Sequence, residues 1–421
     1  MCRYLAILVL VSSSTLASAQ PLRVASWNLG WHVATAEVPN WIDKCGRSYV
    51  LDADSKRWDL AATNSSATTG WFIKETRASL EGVDISVMPP CGVYQDGAYR
   101  GIAVTRAAFA NRIRQISDII NNAIKPEVIA FQEVSGTAAV SEALGQSASR
   151  YHICSFDGQH KVQRLAFAWR KTLGNAAESC RVFVPLSLPE LSADNQVRPA
   201  LTLGLRLKGQ LIRFTNVHLK SSCVSPLDRG RLDDTNLSAC VTLQRQLRPL
   251  ESVVESSAGG GASFVVLGDF NRNLWHELHE KTGAEAIRSD GERGLIKPMT
   301  QGVRSRNLFH EVFDGAPGGQ VTLVGLRCSA DPVIQRLCDA SKTRLLTKDE
   351  GKALSAPLAL GCRNSIGLDH FVVSNVIKTK LVSAEKIPLG KLGSSKGSID
   401  GKTGPLLAVS DHCPIVMTII L

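Results

Sequence analysis

The chain has 421 residues, of which 44% are hydrophobic and 20% are charged, and its formal net charge at pH 7 is +10. This length and composition allow a sizeable hydrophobic core and exclude a chain that is disordered overall. The excess of Lys and Arg favours polyanionic partners, among which nucleic acid, anionic lipid and cell-wall polymers all qualify.

Residues 1–19 have the pattern of a secretory signal peptide. Arg3 precedes an apolar stretch at residues 4–11, and Ala17-Ser18-Ala19 supplies the small residues typical of a cleavage site. No other segment approaches about 18 apolar residues without a charge, so we expect no membrane-spanning helix. The sequence predicts a mature protein, beginning near Gln20, that is secreted or periplasmic.

Ten of the eleven cysteines lie beyond this signal, and none of them forms a CxxC pair. An even number of scattered cysteines in an exported chain favours disulfides over a zinc site, with free buried thiols as the alternative. We expect local pairing. The predicted pairs are Cys45 with Cys91, Cys154 with Cys180, Cys223 with Cys240, Cys328 with Cys338, and Cys362 with Cys413.

The first half of the mature chain predicts a βαβ unit. Residues 22–29 read as a strand that delivers Asn28 at its end. Apolar residues at helical spacing from 109 to 124 predict a helix that Lys125-Pro126 ends. Residues 127–133 then read as a buried strand ending in Glu133. Between the first strand and the helix, residues 35–100 are polar, rich in Gly, Pro and Ser, and predict an insertion.

Further strands are predicted at residues 164–169, 198–205 and 211–219, the last of which delivers His218. Apolar residues from 243 to 254 predict a helix, although Pro249 inside it costs about 3 kcal/mol if it is truly interior. A loop at residues 257–262 follows.

The last third predicts strands that end in polar residues. An apolar run at residues 265–267 ends in Gly268-Asp269-Phe270-Asn271 and reads as a buried strand. Residues 276–360 predict a second insertion. Strands are predicted at 368–374 and at 406–409, the latter ending just before Asp411 and His412. We therefore expect a single domain at residues 20–421 with insertions at about 35–100 and 276–360.

The polar residues at these strand ends suit phosphoester hydrolysis. They include acids that can hold a hard divalent cation, amides that can orient a phosphate, and histidines that exchange protons near neutral pH. The sequence has no HExxH motif for zinc and no GxSxG motif for a serine hydrolase. The set is Asn28, Glu133, His218, Asp269, Asn271, Asp369, Asp411 and His412.

Seven short motifs resemble, in content and order, those of the endonuclease/exonuclease/phosphatase superfamily. They are Ser26-Trp27-Asn28, Phe131-Gln132-Glu133, Val197-Arg198-Pro199-Ala200, Asn216-Val217-His218-Leu219, Gly268-Asp269-Phe270-Asn271, Leu368-Asp369-His370-Phe371 and Ser410-Asp411-His412. The resemblance covers the chain from Leu22 onward except the two insertions. It implies an α/β fold of the deoxyribonuclease I-like type, a four-layer α/β/β/α sandwich of two mixed sheets with the site at one edge.

The resemblance also implies a metal site. Glu133 would be the principal ligand of Mg²⁺, with Asn28 and Asp411 nearby, and Mn²⁺ and Ca²⁺ are the alternative cations.

The remaining motif residues would act on the phosphate. Asp369 would orient His412, and this pair would serve as general base or as a phosphate-binding dyad. His218 would donate to a phosphoryl oxygen or to the leaving group, and Asp269 would orient the attacking water. Asn271 and Arg198 would bind phosphate oxygens.

Three functions remain open at this point. The favoured one is a secreted endonuclease that cleaves DNA or RNA, with the Lys-rich loop from Lys391 to Lys402 in reach of the backbone. The second is a phospholipase C or sphingomyelinase, for which Trp41, Trp58 and Trp71 would enter a membrane surface, or a hydrolase of small phosphate esters. The third is a binding protein without catalysis, which the intact acid, amide and histidine set disfavours. No protein partner is implied.

Overall fold

The structure is a computed structural model, and it describes residues 21–62, 66–73, 80–94, 101–158, 162–223, 237–279, 308–313, 321–365, 367–396 and 405–421. The predicted signal peptide and residue 402 of the Lys-rich loop lie outside the described residues. Within these ranges, no helix is both long enough and apolar enough to cross a membrane.

The described residues form fifteen strands and nine α-helices. The strands are β1 (Pro21–His32), β2 (Ser48–Leu51), β3 (Trp58–Leu60), β4 (Thr68–Thr69), β5 (Val128–Val134), β6 (Tyr151–Ser155), β7 (Arg164–Arg170), β8 (Glu178–Phe183), β9 (Ala200–Leu207), β10 (Gln210–His218), β11 (Ser263–Asp269), β12 (Val321–Leu323), β13 (Asp369–Ser374), β14 (Leu381–Lys386) and β15 (Ile415–Ile420). The α-helices are α1 (Val38–Gly46), α2 (Arg106–Asp118), α3 (Thr137–Leu144), α4 (Leu237–Ala258), α5 (Leu274–His279), α6 (Leu308–Val312), α7 (Pro332–Ala340), α8 (Lys348–Ser355) and α9 (Asn375–Lys378).

Two six-stranded sheets carry the fold. The first has the order β14-β15-β1-β5-β7-β6, and the second has the order β12-β13-β11-β10-β9-β8. Strands β1 and β5 are parallel, as are β10 and β11, whereas the other pairs in the two sheets are antiparallel. Both sheets are therefore mixed, and the predicted βαβ unit is confirmed in β1, α2 and β5.

The two sheets pack face to face and helices cover their outer faces. Side chains from both sheets, such as Phe167 and Phe214, form one buried cluster between them. Ile116 of α2 packs on the outer face of the first sheet, and Leu250 of α4 packs on that of the second. Each such buried side chain contributes about 1.5–3 kcal/mol. The predicted four-layer α/β/β/α sandwich is confirmed.

The predicted strand at residues 406–409 is wrong. Leu407 and Val409 are buried, but the segment makes only an isolated bridge from Leu406 to Lys396. The carbonyls of Ala408 and Val409 accept instead from the buried guanidinium of Arg112. Because a side chain takes these acceptors, the apolar run packs without joining a sheet.

The sequence pattern missed five strands of the two large sheets, namely β6, β8, β12, β14 and β15, the last of which follows the polar Ser410–Cys413 segment. Strand β15 lies between β14 and β1, and most of its residues are buried on both faces. The predicted helix over 109–124 also has a feature not foreseen: α2 continues as a π-helical turn, Ile119–Ile124, and Lys125 ends it in the left-handed conformation. Pro249 lies inside α4 without ending it.

All five predicted disulfides are present, including Cys45 with Cys91 and Cys362 with Cys413. The first of these ties the segment that contains α1 and the small sheet β3-β2-β4. Trp41 and Trp71 of this segment are buried and in edge-to-face contact. These two aromatics form a local core and do not present a membrane-binding surface.

Candidate active site

A cavity of about 600 Å³ opens at the edge of the sandwich where strand ends of both sheets meet. Seven of the nine site residues implied by the motifs line it. They are Glu133, Arg198, His218, Asp269, Asn271, Asp411 and His412. The other two, Asn28 and Asp369, are buried behind the cavity wall, where they contact Asp269 and His412.

The backbone at the strand ends explains how these side chains converge. Glu133 and Asn271 have φ values of +55° and +51°, a left-handed conformation that costs about 1–3 kcal/mol for residues other than Gly. At Gly268 φ is +136°, and a Cβ there would lie 2.1 Å from the carbonyl oxygen of Val217. This close approach keeps β11 against β10, whose register pairs Asp269 with His218.

His412 is held by Asp369. The distance from His412 Nδ1 to Asp369 Oδ2 is 2.8 Å, and His412 Nε2 lies 3.8 Å from Asp269 Oδ2. Burial alone would lower the pKa of His412, but the carboxylates of Asp369 and Asp269 outweigh it and raise the pKa to about 10. The imidazole therefore carries both protons at neutral pH and acts as a donor.

Asp269 is the centre of a hydrogen-bond network. Its Oδ2 accepts from Asn28 Nδ2 at 3.0 Å, and its Oδ1 accepts from the Asn271 amide at 2.8 Å. His218 Nε2 lies 3.5 Å from the same Oδ2. Burial raises the pKa of Asp269 to about 6, so the group is mostly ionised at neutral pH. The network fixes both oxygens of this carboxylate at the cavity wall.

Glu133 carries a negative charge that the protein compensates poorly. Its Oε2 accepts from the Trp31 amide at 3.0 Å, and its Oε1 lies 3.6 Å from His218 Nε2. Burial, followed by the charges of Asp411 and Asp269, raises the pKa of Glu133 to about 7. A cation beside this carboxylate would offset both causes.

Asp411 has partners that the motifs did not reveal. Its Oδ2 accepts from Arg363 Nη2 at 2.8 Å and from Asn364 Nδ2 at 2.9 Å. Burial would raise the pKa of Asp411, but the charges of His412 and Arg363 outweigh it and lower the pKa. Asn364 Nδ2 also lies 3.0 Å from His412 Nε2. The predicted Cys362–Cys413 disulfide was the available signal, because it brings residues 363–364 beside 411–412.

Arg198 and Asn271 are anchored at one point. Arg198 Nη2 and Asn271 Nδ2 both donate to the carbonyl of Leu219, at 2.5 and 3.1 Å. Arg198 is 8% exposed, and burial lowers its pKa while Glu133 and Asp269 oppose that change. The guanidinium thus brings a fixed positive charge to the carboxylate side of the cavity.

The donor set fits a hard divalent cation at Glu133 and Asp411, which offer carboxylate oxygens to the cavity. Asn28 lies behind them, with its Oδ1 accepting from the Gly30 amide and its Nδ2 donating to Asp269. Among the described residues, Asp269, Asp369 and His412 also place ligand atoms within 4.8 Å of one another. That group suits a cation less well, because Asp369 already holds the imidazole of a doubly protonated histidine.

Comparison with known proteins places these residues in a family. The model of the Endonuclease/Exonuclease/phosphatase family matches residues 100–412, a range that contains every site residue except Asn28. A search of curated proteins found no match.

Solved structures give only distant similarity. A humanized D. rerio TDP2 with 14 mutations has 13% identity and a TM-score of 0.40, over 95% of this chain and 99% of that one. An endonuclease/exonuclease/phosphatase family protein from Bacteroides thetaiotaomicron has 12% identity and a TM-score of 0.43, over 96% and 97%. The 3'-5' exonuclease NExo from Neisseria meningitidis has 15% identity and a TM-score of 0.39, over 75% and 97%. Similarity at this level carries no information on substrate.

Proposed function

This chain belongs to the Endonuclease/Exonuclease/phosphatase family, and from that premise we propose that it is a secreted, magnesium-dependent endonuclease that hydrolyses phosphodiester bonds in DNA or RNA. Membership makes it a phosphoester hydrolase of a family whose enzymes generally require a divalent metal. The nucleic-acid substrate, the choice of Mg²⁺ and secretion are the parts that we propose.

One observation carries the proposal: a single cavity combines a carboxylate pair with fixed positive charge. Glu133 and Asp411 line one part of it, and Arg198 and doubly protonated His412 line another. A phosphodiester brings negative oxygens that need positive partners, together with a bond that a correctly placed water must attack. The cavity offers groups for both tasks.

The protonation state of each catalytic side chain indicates its role in the reaction. Asp369 accepts a hydrogen bond from His412 Nδ1, and the Nε2 proton, which the nearby Asn364 Nδ2 cannot accept, is left to donate to a phosphoryl oxygen. Asp269 is held by Asn28 and by the Asn271 amide, and it can accept a proton from an attacking water that it also orients. His218, within 3.6 Å of both Asp269 and Glu133, is placed to donate to the phosphate or to the leaving oxygen.

Glu133 and Asp411 would hold the metal. A bound divalent cation would neutralise charge on the phosphoryl oxygens and on the leaving group. Arg363 and Asn364 keep one oxygen of Asp411 engaged and fix the direction of the other. Gly30 leaves room for the Asp411 carboxylate, since a Cβ at that position would lie 3.2 Å from Asp411 Oδ1.

Nucleic acid is favoured over lipid by the burial of two tryptophans more than by charge, which an anionic lipid would satisfy too. The chain has a formal net charge of +10, which favours a substrate with a repeating phosphate backbone. A lipid substrate would need aromatic side chains that enter a membrane surface, and Trp41 and Trp71 are buried in a local core.

The test is a direct comparison of substrates. The purified mature protein is incubated with Mg²⁺ and closed circular plasmid DNA, RNA, sphingomyelin vesicles or p-nitrophenyl phosphate, with and without excess chelator. We expect nicking of the plasmid or internal cleavage of RNA that the chelator abolishes. Release of products from the lipid or from the monoester alone would contradict the proposed substrate, and full activity in chelator would contradict the metal requirement.

A further inference from the structure

A second groove of about 510 Å³ adjoins the catalytic cavity. The two share Asn271, Ser355, Arg363 and Asn364 as lining residues, so the two spaces are neighbours. The outer wall of the groove comes from the segment that leads into α8 and from the first turns of that helix. This segment belongs to the predicted second insertion, for which the motifs imply no role.

The groove is lined by cationic side chains and by no carboxylate of the described residues. Its basic residues are Arg272, His276, Arg344, Lys348 and Arg363. The three arginines each form an ion pair with a carboxylate that does not line the groove, namely Glu277, Glu350 and Asp411. Lys348 is exposed and forms no ion pair among the described residues. It is therefore the cation of this set whose charge is fully available to a ligand.

The wall that carries Lys348 is held in place. Thr347 and Glu350 form a capping box at the start of α8. Arg344 donates to both oxygens of Glu350, at 2.8 and 2.7 Å, and so ties the preceding loop to the helix. These contacts fix the point at which the Lys348 side chain leaves the helix. The groove is thus a shaped surface with a cation at a defined position.

We infer that this second groove binds a phosphate group of the substrate beside the one that is cleaved, with Lys348 as its principal cation. The substrate is then a polyanion long enough to occupy both spaces, as a nucleic-acid strand of several nucleotides is and a small phosphate ester is not. The inference rests on the proposed function. Contacts to neighbouring phosphates set the position of a strand and add affinity without reading its sequence.

The chain provides a matched control on the same helix. Lys352 is also exposed and lies in α8, but it does not line the groove. Lys348→Glu and Lys352→Glu therefore make the same charge change, one inside the groove and one outside it. Lys348→Ala removes the charge without reversing it. This variant controls for any effect of the carboxylate that Lys348→Glu introduces.

The experiment measures kcat and KM for two substrates, a single-stranded oligonucleotide and bis(p-nitrophenyl) phosphate, which is too small to occupy both spaces. We expect Lys348→Glu to raise KM for the oligonucleotide several-fold, and to lower the slope of log KM against log salt by about 1. Lys348→Ala should act in the same direction. Neither variant should change kcat for the oligonucleotide or either constant for the small diester, and Lys352→Glu should match the unmodified protein throughout.

The outcomes separate the inference from the proposed function. An oligonucleotide that is cleaved equally well by the Lys348 and Lys352 variants would overturn the second phosphate site and leave the nuclease activity in place. So would a Lys348 variant that impairs hydrolysis of the small diester as strongly as that of the oligonucleotide. Hydrolysis of the small diester with no cleavage of any nucleic acid would instead overturn the proposed function.

Discussion

At the scale of single residues, the cavity depends on the contact between Asp369 and His412. Asp369 is 3% exposed, and it supplies the largest of the charges that raise the pKa of His412. Asp369→Asn removes that charge and leaves the size of the side chain unchanged. The pKa of the imidazole should fall, although Asp269 and Asp411 still raise it, and its orientation should be less well fixed.

We expect Asp369→Asn to lower kcat by about 100-fold or more, because a positioned proton donor contributes about 10²–10⁴ to a rate. KM for a nucleic-acid substrate should change little, since the positive charges of Arg198 and Arg363 remain in the cavity lining. Steady-state kinetics measure both, with Asp349→Asn on the exposed start of α8 as the control. A variant that keeps its kcat would show that His412 does not act in the reaction.

Glu133 tests the metal site. Glu133→Gln keeps the shape of the side chain, including an oxygen for the Trp31 amide at 3.0 Å, but removes the anionic ligand. We expect activity to fall by about 100-fold or more while the fold is retained, and excess chelator to have a similar effect on the unmodified protein. Calorimetric titration with Mg²⁺ gives a second measurement. Unchanged Mg²⁺ affinity in the variant would remove Glu133 from the ligand set.

Three of the site residues predicted from the sequence share one property. Glu133, His218 and Asp269 each end an apolar run that is recognisable as a buried strand. Arg363 and Asn364 have no such signal, because they lie in an irregular segment and reach Asp411 only through tertiary contacts. Strand ends are local features of a sequence, whereas the partners of a catalytic carboxylate are not.

At the scale of elements, the disulfide between Cys362 and Cys413 joins two pieces of the site. Cys413 follows His412 directly, and Cys362 precedes Arg363 and Asn364. The Asn364 amide also donates to the Asp411 carbonyl at 2.7 Å. This disulfide holds the segment with the dyad against the segment that orients Asp411.

We expect replacement of both cysteines by Ser to reduce activity at temperatures where the protein is still folded. Loss of a disulfide costs about 2–4 kcal/mol of stability wherever it lies, so stability alone is no test of this role. The control is Cys154→Ser with Cys180→Ser, since that disulfide does not line the cavity. Thermal unfolding and activity below the midpoint are measured for both. Equal activity in the two double variants would contradict a positioning role.

Predictions of elements succeeded where burial and periodicity agree. The strand misassigned to residues 406–409 shows the limit, because its apolar residues are buried as expected while Arg112 takes its carbonyls. At this segment, a side chain that is distant in the sequence determines whether the backbone forms a strand or a coil. The local sequence pattern carries no information about that side chain. The prediction of five local disulfides succeeded because each joins segments that are near each other along the chain as well as in space.

At the scale of the whole molecule, the formal net charge of +10 predicts how a nucleic acid would be held. Binding to duplex DNA should weaken with salt, with a slope near 0.9 for each phosphate contacted. Replacing Lys391, Lys396 and Lys402 together by Ala should flatten this slope and raise KM while kcat stays nearly constant. Lys402 lies outside the described residues, and Lys391 and Lys396 lie near the cavity rim formed by residues 393–395.

Fluorescence anisotropy with labelled duplex, measured over a series of salt concentrations, checks this prediction. A matched triple variant at the exposed Lys352 and Lys378 and at the half-buried Lys342, which pairs with Asp339, would change the net charge equally at other places. If both triple variants flatten the slope to the same extent, overall charge and not the loop is responsible. If neither triple variant flattens the slope, the Lys-rich loop does not contact the nucleic acid and is a solvated connection.

The position of β15 also determines when, during synthesis of the chain, the active site can assemble. This strand pairs with β1 in the first sheet. The first and the last strand of the described chain are therefore neighbours. His412 precedes β15 by only a few residues. A chain still emerging from the ribosome therefore has no assembled site before Asp411 and His412 have been synthesised. We therefore expect the proposed nuclease to have no activity toward nucleic acids while its chain is still incomplete.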